Sequence, residues 1–588
     1  MKAVSAALTL AFLVITSSAQ KYEAEDAIVD ENSILKVADA NASGGFYISM
    51  KEGNLSFSVI VPQTGFYTLW ASYSQPNDQN GKIQNLSVNG NATGQISFPY
   101  SESFVKTKAS SKIKLQEGIN TIGIVKSWGW VNIDYIEITP YEESPFDVSL
   151  SPVDPDISEN ARKMYNFLLQ NFGDKVISGV MTNTVMENDG RYTPNSIESQ
   201  TELAWIKNAS QKVPALIGFD FMHGTGKNSE GEWYKGYTNA TVAMAEELFK
   251  RGGIPAYCWH WKDPSKTVET FYSPSSNNTP FTDFNLKKAF VDSTTCEEFN
   301  TESAEYQSII SDIDIVAGYL KTLSDKGVPV LWRPLHEASG KWFWWGYKGS
   351  KACRALYHLL YNRLTVTHEL HNLIWVWTTD EAADALDWYP GDEYVDIVGR
   401  DYYYYPREAN HGSLVASFEK VKEIFEGKKI VALSENGSIP HPDSLVSDGA
   451  GWSYFMPWYG DYTMDGWAHD NTAADWNYIM NHDYVLTLDE MPGWDSYTVP
   501  VKMSFTHTGG STVSIRTMHN YLLLSIKGTP AESVELYKLN GAKAAVLGQG
   551  LARGIHHLHL GGIPRGTYIV KVKLTSGEHS TSTRIILK

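Results

Sequence analysis

Two glutamates follow apolar, strand-like runs. Glu337 ends the segment VLWRPLHE at 330–337 and precedes the aromatic run WFWW at 342–345, whereas Glu435 ends the segment IVALSE at 430–435. Cleavage of a sugar–sugar bond needs two carboxyl groups, one protonated to assist the leaving oxygen and one ionised to attack C1 or activate water. Either glutamate alone would more often cap a helix or pair with an arginine. Both together, beside tryptophans, predict glycoside hydrolysis.

The neighbours of the two glutamates predict different roles. His336 and the aromatic run would desolvate Glu337, which raises the pKa of a carboxyl group and suits an acid/base. Arg333 and a tyrosine of the run 402–405 would favour an ionised Glu435, which suits a nucleophile. A carboxyl separation of about 5–5.5 Å would indicate a retaining mechanism, and about 6.5–9.5 Å an inverting one.

The elements that must position these residues form a repeating pattern between residues 157 and 490. Helical stretches, which we predict at 161–171, 305–323, 357–370 and 414–425, or long loops separate eight apolar runs: 176–180, 215–221, 254–261, 328–335, 373–377, 395–398, 429–433 and 452–456. This alternation predicts a (β/α)8 TIM barrel with catalytic groups at the C-terminal strand ends, and a doubly wound sheet is the alternative. Polar or aromatic residues stand at nearly every such end: Asp220, His223, His260, Trp261, His336, Trp377, Asp401, Tyr403 and Trp458.

The remaining sequence predicts a multidomain protein, as the length of 588 residues does. Short strands at sandwich spacing fill residues 20–140 and predict an N-terminal β-sandwich. A stretch rich in proline and acidic residues at 141–156 is typical of a semi-rigid linker. Residues 500–588 return to short strands and predict a small C-terminal β-sandwich.

The first 19 residues are typical of a secretory signal peptide. Lys2 precedes a short apolar run, and small residues lead to a cleavage position after Ala19. The mature protein is therefore expected to be secreted or at the cell surface, without a transmembrane segment. The formal net charge of −18 argues against nucleic acid or an anionic membrane as the main partner. We expect a monomer.

Metal-dependent catalysis has little support in the sequence. His223, His260, His336 and Asp220 stand at strand ends, but none of them lies in a zinc-binding spacing. His260 stands between two tryptophans and is better suited to a sugar hydroxyl. We expect no cofactor for catalysis, and the three cysteines allow at most one disulfide.

The segment 332–337 with the aromatic run at 342–345 resembles the acid/base segment of glycoside hydrolase family 26, and LSENG at 433–437 resembles its nucleophile segment. The motif YCWHW at 257–261 is similar to that of the family's third strand. The resemblance implies a (β/α)8 barrel with retaining chemistry, with Glu337 as acid/base and Glu435 as nucleophile. It implies that His260 and Trp342 line the subsite before the cut, that His336 lies beside the acid and that Tyr403 holds the nucleophile. Trp458 completes the predicted substrate-binding residues.

The N-terminal segment YEAE at 22–25 and the segment WGWVNIDY at 128–135 resemble carbohydrate-binding module family 35. The resemblance implies a structural calcium ion held by Glu23, Glu25 and Asp134, which fits the preference of calcium for oxygen ligands. It also implies sugar contacts from Trp128 and Asn132.

The segment GTYIV at 566–570 and the terminal residues 585–588 look like the C-terminal sorting domains of the type IX secretion route. This would imply an outer-membrane secretion machinery as a partner. A spacer or binding module is the alternative.

With the signal peptide, the resemblance to the family implies a secreted, retaining endo-β-1,4-mannanase that cleaves mannan, glucomannan or galactomannan, which are plant polysaccharides of the β-mannan type. A β-1,3-xylanase or mixed-linkage β-glucanase of the same family is the first alternative. A surface carbohydrate-binding protein with an inert barrel is the second.

Overall fold

The computed structural model describes residues 19–29, 34–79, 81–142, 144, 146–183, 196–497, 513–518, 521–526, 530–538, 542–552, 554–560, 563–564, 566–575 and 579–587. The predicted signal peptide, apart from Ala19, lies outside these residues.

The N-terminal part consists of two antiparallel sheets that share one apolar core. The first sheet contains the strands Gln20–Glu23, Leu35–Ala38, Phe46–Ser49, Gly65–Gln75, Ser101–Leu115 and Asn132–Pro140. The second contains Ile28–Val29, Leu55–Val61, Lys82–Val88, Asn91–Phe98 and Gly118–Val125. Residues Leu55, Phe57, Val59 and Val61 of one strand are buried, whereas Ser58 and Ile60 between them are exposed. This alternation with a period of two is what the sequence pattern predicts for a half-buried strand.

The central part is a parallel sheet of seven strands that curves into a nearly closed barrel. In chain order the strands are Gly179–Met181 (β1), Leu216–Asp220 (β2), Ile254–Cys258 (β3), Val330–Arg333 (β4), Leu373–Thr379 (β5), Ile397–Tyr402 (β6) and Ile430–Asn436 (β7). Each strand pairs with the next in sequence. Their residues are buried, because helices cover the outer face and side chains fill the interior. The prediction of a barrel is confirmed at this level, and the doubly wound alternative is wrong.

The predicted eighth strand, 452–456, is not a continuous strand. The segment still lies between β7 and the first part of the barrel, because the amide of Leu433 donates to the carbonyl of Tyr454 (3.0 Å) and the amide of Ile177 donates to that of Ser453 (3.0 Å). The side chain of Asn436 accepts the amide of Met456 (2.9 Å) and so replaces a regular ladder partner. The segment therefore closes the barrel through isolated bridges instead of a ladder.

The predicted first strand, 176–180, is also interrupted. Its first residues, Val176–Ile177, pair with Val485–Leu486 in a separate two-stranded sheet. The hydroxyl of Ser178 donates to the carbonyl of Leu486 (2.6 Å), and β1 begins one residue later.

One helix precedes β1 and others lie between the strands, and all four predicted helical stretches overlap helices of the structure. The main ones are Glu159–Asn171, Thr201–Ser210, Glu232–Lys250, Ala304–Asp325, Ser350–Tyr361, Val415–Ile424, Pro442–Asp448 and Ala473–Met480, with short helices at Trp344–Tyr347 and Ala385–Trp388. In the first, the side chain of Ser158 accepts the amide of Ala161, and Met164 and Leu168 face the core. The predicted helix 357–370 differs, because the α-helix ends at Tyr361 and continues as a π-helical turn, Asn362–Thr367.

The predicted linker packs on the barrel. The ring of Phe146 contacts those of Phe172 (4.9 Å between centroids) and Phe418 (6.0 Å). The amide of Val153 donates to the carboxylate of Asp396 (2.7 Å). The described residues between 146 and 156 are thus part of the barrel surface.

The C-terminal part contains two antiparallel sheets around a small apolar core. Among the described residues, Val513–Met518, Tyr521–Ile526 and Gly554–His559 form one sheet. The other contains Ala531–Lys538, Lys543–Leu551, Gly566–Leu574 and His579–Leu587. The core includes Leu522, Leu524, Val534, Leu536 and Val570.

The described residues contain neither a disulfide bond nor a membrane-spanning helix. All three cysteines, Cys258, Cys296 and Cys353, are buried and unpaired. Within the described residues, no helix has both the length and the apolar character that crossing a membrane requires.

Candidate active site

The two predicted catalytic glutamates meet at the C-terminal mouth of the barrel. Glu435 lies in the last part of β7, and Glu337 lies in the turn after β4. One carboxylate oxygen from each and one from Asp401, near the end of β6, lie within 4.8 Å of one another. Three carboxyl groups at this distance repel one another when all are ionised, so the arrangement favours a proton on one of them.

Two donors hold the carboxylate of Glu435. The hydroxyl of Tyr403 donates to Oε1 at 2.6 Å, and Nη2 of Arg333 donates to Oε2 at 2.7 Å. Both oxygens are engaged, so the orientation of the carboxylate is fixed. The Glu435 side chain is buried, and the charge of Arg333 offsets the cost of burying it.

Glu337 lies in a different environment. Its Oε2 accepts one hydrogen bond, from Nε1 of Trp342 at 3.0 Å. Burial and the negative charges of Glu435 and Asp401 raise the pKa of Glu337 well above its ordinary value, although Arg333 and Trp342 act in the opposite direction. The group is thus suited to carry a proton at neutral pH.

The backbone around Glu337 is unusual. Leu335 and Glu337 both have positive φ angles, 53° and 54°. This conformation is uncommon for residues other than glycine, and such residues cluster at functional sites.

Asp401 belongs to the same charge network, although the sequence marked it only as a strand-end residue. It accepts Nη1 of Arg333 at 2.6 Å and the hydroxyl of Ser434 at 2.6 Å. Burial raises the pKa of Asp401 to about 6, although Arg333 opposes this shift. Arg333 therefore bridges two carboxylates, and a basic residue four positions before the catalytic glutamate was the signal for that role.

A chain of polar contacts leads to the two predicted histidines. Nδ1 of His260 lies 2.6 Å from Oδ2 of Asp220, which favours a proton on Nδ1. Nε2 of His260 then accepts from Nε2 of His336 at 3.2 Å. Burial lowers the pKa of His336 well below its ordinary value, and the charge of Arg333 acts in the same direction, so this ring is neutral. Asp220, which the sequence also marked only as a strand-end residue, thus determines which nitrogen of His260 donates and which accepts.

Aromatic rings enclose His260. The ring of Trp458 lies 5.5 Å away between centroids, that of Phe271 4.7 Å and that of Phe343 5.5 Å. The predicted residues His260, His336, Trp342, Tyr403 and Trp458 are thus all gathered around the two glutamates. Sequence reasoning did not single out Phe271, because it lies in an irregular loop without a periodic pattern.

The predicted sugar-binding residues of the N-terminal part lie at one end of its sheets. The Trp128 side chain is 66% exposed, and that of Trp130 is 44% exposed with its Nε1 donating to Glu52 (2.8 Å). Asn132 donates to the hydroxyl of Ser74 (3.1 Å). An exposed tryptophan ring and a side-chain amide held by a hydrogen bond are both groups that can contact a sugar.

The three carboxylates predicted to bind calcium converge on the turn Ser43–Gly45. The amide of Ser43 donates to Asp134 (2.7 Å), and its hydroxyl donates to Glu23 (2.9 Å). A Cβ atom at Gly44 would lie 2.5 Å from Oε1 of Glu25, so glycine leaves this space free. Oε2 of Glu23 and Oε2 of Glu25 are buried and accept no hydrogen bond from the described residues. A donor set made only of oxygen atoms, with two buried oxygens unsatisfied, fits a calcium ion.

A parallel barrel that carries a glutamate held by an arginine and a tyrosine, close to a second glutamate with a raised pKa, defines a glycoside hydrolase. Residues 153–490 match the model of glycosyl hydrolase family 26, and residues 20–141 match that of carbohydrate-binding module family 35. The chain belongs to glycosyl hydrolase family 26 and carries a family 35 module at its N-terminus. Both family predictions are confirmed.

Several known proteins are similar to this chain over more than half of its length. The chain is 34% identical over 487 residues to a mannan endo-1,4-beta-mannosidase of Thermothelomyces thermophilus. The matched region covers 82% of this chain and 92% of the relative. The chain is 34% identical to the structure of a Podospora anserina GH26-CBM35 beta-(1,4)-mannanase, with a TM-score of 0.52 and coverage of 81% of this chain and 99% of the other. A beta-mannanase from a symbiotic protist of the termite Reticulitermes speratus, complexed with gluco-manno-oligosaccharide, is 41% identical, with a TM-score of 0.54 and coverage of 60% and 100%.

Proposed function

We propose that the protein is a secreted, retaining endo-β-1,4-mannanase that cleaves the main chain of mannan, glucomannan or galactomannan. The relatives described above carry the names of mannanases, which supports this substrate class. The observation that carries the proposal is the pair Glu337 and Glu435, which lie close together in opposite electrostatic environments.

The short distance supports retention of configuration. An inverting enzyme needs room for a water molecule between the sugar and its base, with carboxyl groups about 6.5–9.5 Å apart, whereas a retaining pair lies about 5–5.5 Å apart. Oxygens of Glu337 and Glu435 within 4.8 Å of each other fit the shorter class.

The mechanism follows from the two environments. Glu435, ionised and oriented by Tyr403 and Arg333, attacks C1 of the sugar, and the glycosidic bond breaks as Glu337 donates its proton to the leaving oxygen. Glu337 then takes a proton from water, which attacks C1 and releases Glu435 as a carboxylate. Protonation states at the end equal those at the start.

The remaining predicted residues fit roles in substrate binding. His260, His336 and Trp458 would line the position before the cut, and Trp342 would both contact the sugar and hold Glu337. We assign no metal or cofactor to the reaction.

For the N-terminal module we propose carbohydrate binding through Trp128 and Asn132, with calcium held by Glu23, Glu25 and Asp134. The ion would be a partner for Oε2 of Glu23 and Oε2 of Glu25, which have no hydrogen-bond partner among the described residues. Its role would be structural, because it would join the first strand of the module to the turn Ser43–Gly45. Addition of calcium is expected to raise the midpoint of thermal unfolding of the module, and Glu25→Gln is expected to abolish that increase.

The proposal also includes the route out of the cell. Residues 1–19 would direct secretion, the C-terminal part would engage an outer-membrane secretion machinery of the type IX kind, and the mature protein would be a secreted or surface-held monomer. Fractionation of a host that has this machinery, with and without residues 500–588, tests the route.

A substrate panel tests the enzymatic proposal. Reducing sugar is measured from linear mannan, galactomannan, β-1,3-xylan and lichenan with the wild type and with Glu435→Ala. We expect release from the mannans by the wild type and none by the variant. Release from β-1,3-xylan or lichenan alone would overturn the substrate class, and the absence of any release would overturn the enzymatic proposal. The anomer released first from a mannooligosaccharide, observed by NMR, separates retention from inversion.

A further inference from the structure

An exposed tryptophan stands on the rim of the barrel, on the loop after Trp458. The side chain of Trp467 is 68% exposed, although the loop that carries it is tightly built. The amide of Gly466 donates to the carbonyl of Asp461 (3.0 Å), and a Cβ atom at Gly466 would lie 2.6 Å from that same carbonyl oxygen. The hydroxyl of Thr463 donates to the carbonyl of Trp458 (2.7 Å). The position of Trp467 is therefore set by its loop and not by burial of its ring.

Trp467 is the outer member of a stack, hereafter the Trp467 stack, that also contains Arg407 and Tyr462. The guanidinium carbon of Arg407 lies 4.9 Å from the ring centre of Trp467 and 3.7 Å from that of Tyr462. Two nitrogens of Arg407 donate to Oδ2 of the buried Asp470, at 2.9 and 2.7 Å. The cation thus packs against one side of the indole and leaves much of the ring in solvent.

The inner end of the Trp467 stack touches the machinery of the nucleophile. The ring of Tyr462 lies 5.0 Å from that of Tyr403, whose hydroxyl holds Glu435. A Cβ atom at Gly437, two residues after Glu435, would lie 3.5 Å from both tyrosines and 3.4 Å from Asp470. The stack therefore leads continuously from the cleavage point to the rim.

Holding the exposed ring of Trp467 in one orientation is unfavourable in free energy when no ligand covers it. A large aromatic ring held in water loses rotamer freedom and gains no buried contact. A flat apolar face in a fixed orientation, next to a charged donor, has the chemistry that binds the apolar face of a pyranose ring and its hydroxyl groups.

We propose that the Trp467 stack is a sugar-binding platform that takes a pyranose unit of the polysaccharide outside the cleavage position. The unit belongs either to the main chain or to a galactose branch, since both present the same chemistry. Trp467 is thus a specificity-determining residue, and the inference rests on the mannanase function proposed above.

The test compares Trp467→Ala with the wild type on three substrates: an aryl β-mannobioside, linear mannohexaose and galactomannan. We expect kcat/KM on the longer substrates to fall about tenfold more than on the aryl mannobioside, the size of a lost aromatic contact. A loss on both longer substrates indicates a main-chain unit, and a loss on galactomannan alone indicates a branch. Trp467→Phe, which keeps a flat face, is expected to recover most of the loss.

Two further readouts make the result decisive. The thermal midpoint of Trp467→Ala should equal that of the wild type, because the ring is exposed. Equal losses on all three substrates, or no loss on any, would overturn the platform. A wild type that is inactive on mannans would instead overturn the proposed function. The loss of kcat/KM in Trp467→Ala would then be compared between long and short forms of the glycan that the wild type does cleave.

Discussion

The hydroxyl of Tyr403 offers the sharpest test of the site, because Tyr403→Phe removes one oxygen and leaves the ring. That hydroxyl donates at 2.6 Å to Oε1 of Glu435. A hydrogen bond to a charged group contributes about 1.5–3 kcal/mol, and each 1.4 kcal/mol is a factor of ten. If the bond is as important in the transition state as in this geometry, kcat/KM on mannan falls about 10- to 150-fold.

The fall of kcat/KM in Tyr403→Phe should not exceed this range. Arg333 still holds Oε2 of Glu435 at 2.7 Å, so the carboxylate keeps a donor and a counter-charge. Removal of the carboxylate itself in Glu435→Ala deletes the attacking group and is expected to abolish turnover. The graded order of the two variants distinguishes an orienting hydroxyl from a reacting group.

The adjacent Tyr402 supplies a matched control. It is the last residue of β6, its side chain is buried, and its hydroxyl has no hydrogen-bond partner among the described residues. The two oxygens of Glu435 are held by Tyr403 and Arg333, and Tyr402 contributes no hydrogen bond to them. We expect Tyr402→Phe to change kcat/KM less than about twofold, because no hydrogen bond is lost.

The assay measures kcat and KM on mannohexaose for both variants, with thermal unfolding to verify folding. Full activity in Tyr403→Phe would refute the orienting role. Equal losses in Tyr402→Phe and Tyr403→Phe would refute the register at the end of β6.

Three further perturbations address charge and backbone. Asp401→Asn removes a negative charge beside Glu337, so the pKa of Glu337 falls. Glu337 then loses its proton at lower pH, and the alkaline limb of the kcat/KM–pH profile moves to lower pH. Arg333→Met leaves two buried carboxylates without their cation and should cost about 3–5 kcal/mol in the free energy of unfolding, measured with urea. Gly318→Ala should instead stabilise by about 0.5–1 kcal/mol, because Gly318 is in an exposed helix interior where a Cβ atom meets no atom within 4 Å.

Apolar periodicity was sufficient to predict the barrel, because seven of the eight predicted runs overlap strands of one parallel sheet. Apolar periodicity failed at the eighth run. There the backbone forms hydrogen bonds alternately with β7 and with the segment before β1, and the side chain of Asn436 accepts the amide of Met456. Hydrophobicity reports burial, and residues 452–456 are buried like a strand, so the pattern cannot reveal that the ladder is broken.

The two glutamates and Arg333 were accessible from sequence because their neighbours and strand ends carry the signal. The choice of Tyr403 among tyrosines 402–405 came from the family resemblance alone, because four identical residues in a row offer no pattern, and in the structure the hydroxyl of Tyr403 does hold Glu435. The pairing of Asp220 with His260 joins residues 40 positions apart, and that distance in sequence conceals it.

The loop after β6 explains why the N-terminal module and the catalytic site are not independent. On one side this loop carries Tyr403, which holds the nucleophile. On the other side, Asn85 of the module donates to the carbonyl of Tyr405 (2.7 Å), and Asn410 accepts the amide of Ala92 (3.0 Å).

The end of β6 itself is held in the same way. Nη2 of Arg400 donates to Gln95 of the module (2.8 Å), and Arg400 immediately precedes Asp401, which shares Arg333 with Glu435. These contacts are polar and directional, so they fix position more than they add burial. The module therefore supports the wall of the cleft that carries the nucleophile's partners, in addition to any sugar that it binds.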